Sequence, residues 1–214
     1  MNKALKLIKK NALLSKIDSQ HLKELITNGQ ILIKTYQRGE EILTPQEFER
    51  SLILILSGRV NVLKSGLNQK ETFINCLKEN DLFGMASLFY ETSEYPSKII
   101  ARKRCRLLII PKEIVEQLLE SELDFVKAYV KLLSQKIHFL NQKIRTFTGG
   151  DASEKLYLWL KMQAQENQDL ILPCSMSELA DVLGIGRASL YRCFKDLEDK
   201  KIIRKENNKV TFIN

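Results

Sequence analysis

Residues 175–203 read SMSELADVLGIGRASLYRCFKDLEDKKII, and the reading of this stretch decides the fold. Ser175 followed three residues later by Glu178 is a capping box: the hydroxyl accepts from the Glu178 N–H and the carboxylate from the Ser175 N–H, so a helix starts here. Leu179, Ala180 and Leu183 form its inner face. Gly184-Ile185-Gly186 is a turn, with Ile185 plugging the angle between two helices. Arg187 to about Asp199 is the second helix, and Leu190, Phe194 and Leu197, at spacings of 4 and 3, face the core. Two short helices joined by a Gly turn form the helix-turn-helix unit, although helical hairpins also occur as packing units.

The neighbours on both sides narrow that choice. Downstream, Ile202-Ile203-Arg204-Lys205-Glu206, then Asn207-Asn208, then Lys209-Val210-Thr211-Phe212-Ile213 predict a β-hairpin wing, because Asn tolerates the positive φ of a tight turn. Upstream, Leu170-Ile171-Leu172 predicts a short strand ended by Pro173. Before it, Leu156, Leu158, Trp159, Leu160 and Met162 mark a core helix to about Glu166, capped by Asp151 or Ser153 after Gly149-Gly150. Charge follows the same division. The net charge is +8; residues 149–185 carry 2 basic and 6 acidic groups, and residues 186–214 carry 8 and 4. A positive segment that begins at one helix and runs to the chain end suits a phosphate-facing surface.

Helix-turn-helix, wing and basic onset together point to double-stranded DNA. The first residues of a recognition helix reach base edges. Arg187, Ala188, Ser189, Tyr191 and Arg192 fall off the core stripe and are the expected readers, with Ser175 at the head of the first helix. Arginine pairs bidentately with guanine O6 and N7. Lys195 and Lys205, with Arg204 and Lys209, read equally as phosphate contacts or as solvated charge.

Upstream lies a second organised stretch. Val126, Val130, Leu133, Ile137, Leu140, Ile144 and Phe147 are spaced 4, 3, 4, 3, 4 and 3 apart with no Gly or Pro between them. Three heptads of this kind keep one stripe toward a partner helix. The same stripe would also serve a helix packed on its own domain. A module that reads a palindrome needs a symmetric partner, which favours self-pairing.

The first 120 residues carry 19 basic and 14 acidic groups and change pattern after about Asn28-Gly29, where leading helices end. QILIKTYQRGEEIL, SLILILSGRVNVLKSG, KETFINCLKENDLFG and IIARKRCRLLIIP are short apolar runs punctuated by Gly39, Gly58, Gly66 and Gly84, which predicts a barrel-like roll. PKEIVEQLLES then opens a helix with Pro111 in its first turn. Arg38-Gly39-Glu40, Leu56-Ser57-Gly58-Arg59-Val60 and Asp81-Leu82-Phe83-Gly84 stand where turn glycines recur in one bacterial family. The chain resembles the cyclic-AMP receptor and fumarate–nitrate reductase regulator (CRP/FNR) family over its full sensor, helix and winged-helix order. The resemblance implies a homodimer on an inverted repeat, with RNA polymerase as a further candidate partner.

The chain departs from that family at the cyclic-AMP cassette. Members that bind cyclic AMP use a Gly-Glu pair and, about ten residues later, an Arg-Ser pair. Here Met85 stands for the Glu, and Tyr95-Pro96 for the Arg-Ser. A buried phosphate without its Arg loses a charge-assisted partner, so cyclic AMP is not the expected effector. Family members commonly place Arg-Glu at the start of the recognition helix; Ala188 replaces that Glu, which implies relaxed discrimination at one base pair. The iron–sulfur branch needs an N-terminal cysteine cluster, and the first cysteine is Cys76. What remains is a roll that serves as scaffold or binds an apolar or aromatic molecule beside Met85, Ala86, Ser87, Phe89, Tyr95 and Ser97.

Other chemistry finds little support. Cys76, Cys105, Cys174 and Cys193 lack metal-ligand spacing and read as free thiols, leaving a redox- or metal-responsive regulator on Cys76, Cys105 or Cys193 as the alternative. His21 and His138 are isolated, and no phosphate loop or nucleophile elbow is present, so neither enzyme nor cofactor is expected. A cyclic-nucleotide sensor of another output class is the more distant rival. No run reaches membrane-span length, which predicts a cytoplasmic protein. The expected architecture is α+β: a cyclic-nucleotide-binding-like β-roll or jelly roll over 1–120, a dimerisation helix over 121–148, and a winged helix-turn-helix over 149–214.

Overall fold

A computed structural model describes residues 2–65, 71–91, 94–148, 150–164 and 169–213. Gly66, Gly149 and Glu166, and the side chain of Phe147, lie outside the described residues. Backbone proximity divides the chain into two compact units, Met1–Glu71 with Asn75–Gln135, and Thr72–Ile74 with Lys136–Asn214.

The first unit opens with helix α1 (Asn2–Ile8), a 3-10 turn (Leu14–Lys16) and helix α2 (Ser19–Thr27). Eight strands follow along the chain: β1 (Leu32–Tyr36), β2 (Glu41–Leu43), β3 (Ser51–Ser57), β4 (Arg59–Ser65), β5 (Glu71–Lys78, of which Thr72–Ile74 count with the second unit), β6 (Leu82–Phe83), β7 (Lys98–Ala101) and β8 (Cys105–Pro111), with helix α3 (Met85–Leu88) after β6. They form two four-stranded sheets ordered β1-β8-β3-β6 and β2-β7-β4-β5. This is the expected roll.

Strand β3 explains the layering. Its residues Ser51 to Leu56 are all buried, because the strand is covered on both faces and so does not alternate apolar with polar. Ile53 and Ile55 join Ile109 and Leu107 of β8 in the cluster that also holds Leu43 and Ile99 of the second sheet. Leu52, Leu54 and Leu56 point the other way, into a cluster with Leu14, Leu22 and Val115 from the helical elements. The register Ile53↔Ile109 and Leu54↔Leu108 keeps the two faces apart. Each such side chain, fully buried, contributes about 1.5–3 kcal/mol.

Helix α4 (Lys112–Ser121) follows β8 directly. Pro111 ends the strand and is the residue before the helix, at φ −57° and ψ 155°, rather than a member of its first turn. Its backbone N–H is absent in any case, so the strand ends where the helix must start. His21, alone in the sequence, lies 3.1 Å by Nδ1 from Glu122 Oε1.

The long helix α5 (Leu123–Thr148) has 26 residues and two apolar faces. Phe125 and Tyr129 are buried in the first unit, with Ala128 and Leu132 against the same cluster. The heptad stripe is different: Val130, Ile137, Leu140 and Ile144 are each more than half exposed, Leu133 is exposed at its edge, and Val126 is partly buried. The first unit therefore packs on Phe125 and Tyr129, while the heptad stripe stays largely exposed.

The second unit contains α6 (Ala152–Gln163), β9 (Asp169–Ile171), α7 (Met176–Leu183), α8 (Arg187–Asp199), β10 (Ile203–Glu206) and β11 (Lys209–Phe212). Its sheet has the order β10-β11-β9. Asp151 supplies the α6 cap, accepting from Glu154 N at 2.8 Å. Leu156, Trp159 and Leu160 are buried, while Leu158 and Met162 are only partly so. In the wing turn Asn207 alone takes a positive φ, at 52°; Asn208 does not.

Candidate nucleic-acid interface

The capping box is present. Ser175 Oγ accepts from Glu178 N at 3.3 Å, and Glu178 Oε2 accepts from Ser175 N at 2.7 Å. Ser175 is exposed, but its hydroxyl is spent on α7. Gly184 closes that helix at φ 65°, a left-handed conformation that costs glycine little. Ile185 is half-buried in the turn. Gly186 then precedes α8 with no side chain to cap it, so the first N–H groups of the helix are left to other acceptors.

Burial along α8 follows helical period. Leu190, Cys193, Phe194 and Leu197 are buried, and Arg187, Ala188, Tyr191, Arg192 and Lys195 are exposed, with Ser189 between. The expected reading residues therefore share one outward face. Two arginines are held by neighbouring hydroxyls. Arg187 donates through Nε to Ser177 Oγ at 3.0 Å and again through Nη2, while Arg192 Nη2 donates to Ser189 Oγ at 3.1 Å. Ser177 did not stand out in the sequence, because it is ten residues from Arg187 and only the turn brings the two helices together.

The wing separates cations that composition treats alike. Lys205 turns back on its own hairpin, donating to Asn207 O at 2.8 Å with Nζ 5.5 Å from the centre of the Phe194 ring. Lys209 pairs with Asp169 at 2.7 Å, which holds that carboxyl below its usual range. Arg204 is exposed. Neither Lys205 nor Lys209 is thus a plain solvated charge.

A cavity lies among some of the residues expected to form an effector pocket. A cavity of about 580 Å³ is lined by Ala86, Ser87, Tyr95 and Ser97, as expected, and by Pro45, Gln46, Lys64, Tyr90, Glu94 and Pro96. Met85 and Phe89 do not line it. They are four residues apart and leave α3 on its other side: Met85 packs on the helix-facing core, and Phe89 meets the Tyr129 ring edge-on at 6.4 Å. Ala86 and Tyr90 occupy the cavity side. Tyr95 stacks at a tilt on Phe48, 5.4 Å between ring centres, and burial pushes its phenol up to about 12. Lys64 is the cation among these lining residues, and no arginine is.

Cys105, Cys174 and Cys193 are buried and Cys76 is half-buried, and none of the four is in a disulfide. Burial pushes the Cys105 thiol up, which disfavours the reactive thiolate. Among the described residues no helix is long and apolar enough to cross a membrane.

Two domain families match the chain: the cyclic nucleotide-binding domain over residues 33–122 and the Crp-like helix-turn-helix domain over residues 154–214. The global nitrogen regulator of Nostoc sp. is 25% identical over 191 residues, covering 84% of each chain. The cAMP-activated global transcriptional regulator CRP of Salmonella typhimurium is 22% identical over 177 residues, covering 80% of this chain and 84% of that protein. Among solved structures, a CooA mutant from Carboxydothermus hydrogenoformans superposes with a TM-score of 0.71 at 19% identity, covering 88% of this chain and 86% of that one. The c-di-GMP responsive global regulator CLP of Xanthomonas campestris gives 0.67 at 18% identity, covering 92% and 100%. The relatives that match along most of the chain are transcription regulators and not enzymes. With both domains in this order on a shared fold, the chain belongs to the CRP/FNR family of transcription regulators.

Proposed function

We propose that the chain acts as a homodimer that reads an inverted-repeat operator through the outward face of α8. One observation carries this reading: Arg187 and Arg192 share an exposed helix face and are both steadied by serine hydroxyls before any ligand arrives. Holding a guanidinium in place reduces the rotamer entropy lost on binding. Arg192 pairs with guanine in each half-site, and Arg187 lies five residues earlier at the helix start, where base edge and phosphate meet. Ala188 offers no acceptor for cytosine N4, so one base pair is read loosely. Tyr191 and Lys195 lie on the same face and contact the backbone; Ser189 supports Arg192. Ser175 and Lys205 serve the fold first and add at most backbone contacts.

The exposed stripe of α5 supports the dimer. Four apolar side chains at heptad spacing, each more than half exposed, suit coverage by a second copy of the same helix. The two recognition helices would then enter successive major grooves about one turn of DNA apart.

The roll cavity is proposed to take a small effector with an apolar or aromatic body. Its lining supports this: Tyr90 and Tyr95 provide ring surface, and Lys64 is the cation in place of the cyclic-AMP cassette's arginine. Gel shifts against inverted repeats with guanine in each half-site test the DNA reading. Arg192→Ala should weaken binding about tenfold or more, the loss of one bidentate pair worth about 1–3 kcal/mol. Unchanged affinity at both low and moderate salt would remove Arg192 from base reading.

A further inference from the structure

A second concavity lies away from the roll cavity, wholly within the first unit. Its volume is about 470 Å³, and it runs between the N-terminal loop before α2 and the first half of α5. Its floor is apolar, made by Leu13, Leu82, Ala128 and Leu132. Lys16 lines one wall, and Lys127 and Lys131 line the other, one helical turn apart on α5.

The charges here are unbalanced. None of the three lysines pairs with a described carboxylate, and Asp124 is the only acid in the lining. By contrast Lys98, Lys112, Lys200 and Lys209 each pair with a carboxylate. Like charges around a low-dielectric cleft focus their field into it. An apolar floor with a few convergent polar groups is the usual make-up of a small-molecule site.

The walls are fixed and the opening stays clear of the proposed seam. Buried Asn11 holds the N-terminal wall, accepting from Leu13 N at 3.1 Å and Leu14 N at 3.2 Å and donating to Asn80 O at 3.1 Å. At roughly 100° per residue, Lys127, Lys131 and Gln135 stand about 100–180° around α5 from the heptad stripe. A partner helix on that stripe would leave the groove open.

We propose that this groove binds a small organic anion with an apolar tail, of the class of medium-chain fatty carboxylates. The tail lies on Leu13, Leu82, Ala128 and Leu132, and the carboxylate accepts hydrogen bonds from Lys127, Lys131 and Lys16. This site is separate from the roll cavity and does not depend on the DNA reading.

Calorimetric titration of the full-length protein with sodium decanoate tests it. The expected result is saturable binding of one decanoate per chain, weakened at least tenfold in Lys127→Glu/Lys131→Glu and unchanged in Lys136→Glu, which alters the same helix outside the groove. If the charge-reversed pair fails to fold by circular dichroism, Lys127→Gln/Lys131→Gln is read instead, with a threefold or greater loss expected. Three results would overturn the proposal: no saturable binding to the parent protein, equal binding by the folded double variant, or an equal loss in Lys136→Glu.

Discussion

Helices α3 and α8 each follow a glycine, and the two glycines answer different demands. Gly84 takes φ 90°, and a Cβ there would fall 2.1 Å from the Ser51 carbonyl oxygen. Both its own backbone and the neighbouring strand β3 require the missing side chain. Gly186 ahead of α8 has an ordinary φ of −68° and nothing within 4 Å of where a Cβ would stand. Its partner across the turn, Gly184, needs only its φ of 65°. The short helix of the roll is thus locked against a sheet to form a cavity wall. The helix-turn-helix turn is spacious, which suits a surface that another molecule approaches.

That contrast gives a graded set of outcomes. Gly84→Ala meets a backbone atom and a forbidden φ together, so urea unfolding should show a loss of about 3 kcal/mol or more; a loss under about 1 kcal/mol would mean that α3 and β3 part easily. Next comes Tyr95, whose phenol is pushed from 10.0 to about 12 by burial beside α3. The folded chain holds this proton more tightly than the unfolded chain does. The associated stability is therefore complete below pH 10 and is lost as pH rises toward 12. Tyr95→Phe should flatten that part of the pH profile, and an unaltered slope would assign it to other groups. The smallest effects belong to the open turn. Gly184→Ala should cost about 1–2 kcal/mol for its left-handed backbone, while Gly186→Ala should stay within about 0.5 kcal/mol. Equal effects at Gly84 and Gly186 would erase the distinction.

The same contrast explains what could be read from the residues. α8 runs for 13 residues with a regular apolar stripe, so its period assigns every side chain to a face. The capping box and the turn glycines place its start, and the outward set from Arg187 to Lys195 follows directly. α3 has four residues, which is too short for a period to declare a face. Apolarity suggested Met85 and Phe89 for the cavity, yet both turn away, while Ala86, named for the same pocket, faces it together with Tyr90, which was not. Pro45, Gln46 and Lys64 reach that cavity from distant loops and strands, which no local pattern reports. Lys205 and Lys209 show the matching limit for charge, since counting cations cannot tell that one folds onto Phe194 and the other onto Asp169. On α5 the two stripes overlap in sequence. Only the burial of Phe125 and Tyr129 beside the exposure of Ile137 and Leu140 separates the packing face from the exposed one.

The proposed dimer rests on the exposed stripe of α5, because reading an inverted repeat calls for a second copy to cover it. Ile137→Asp places a charge at the middle of the stripe, where Ile137 is 60% exposed in the single chain. Folding of each chain should be preserved, since Ile137 is not one of the buried core residues. Sedimentation of this variant alongside its operator affinity is the direct measurement. The expected result is a folded monomer whose affinity for the inverted repeat falls about 100-fold or more, a loss of about 2.7 kcal/mol or greater. A variant that still sediments as a dimer, or a monomer that binds the full operator with undiminished affinity, would contradict it.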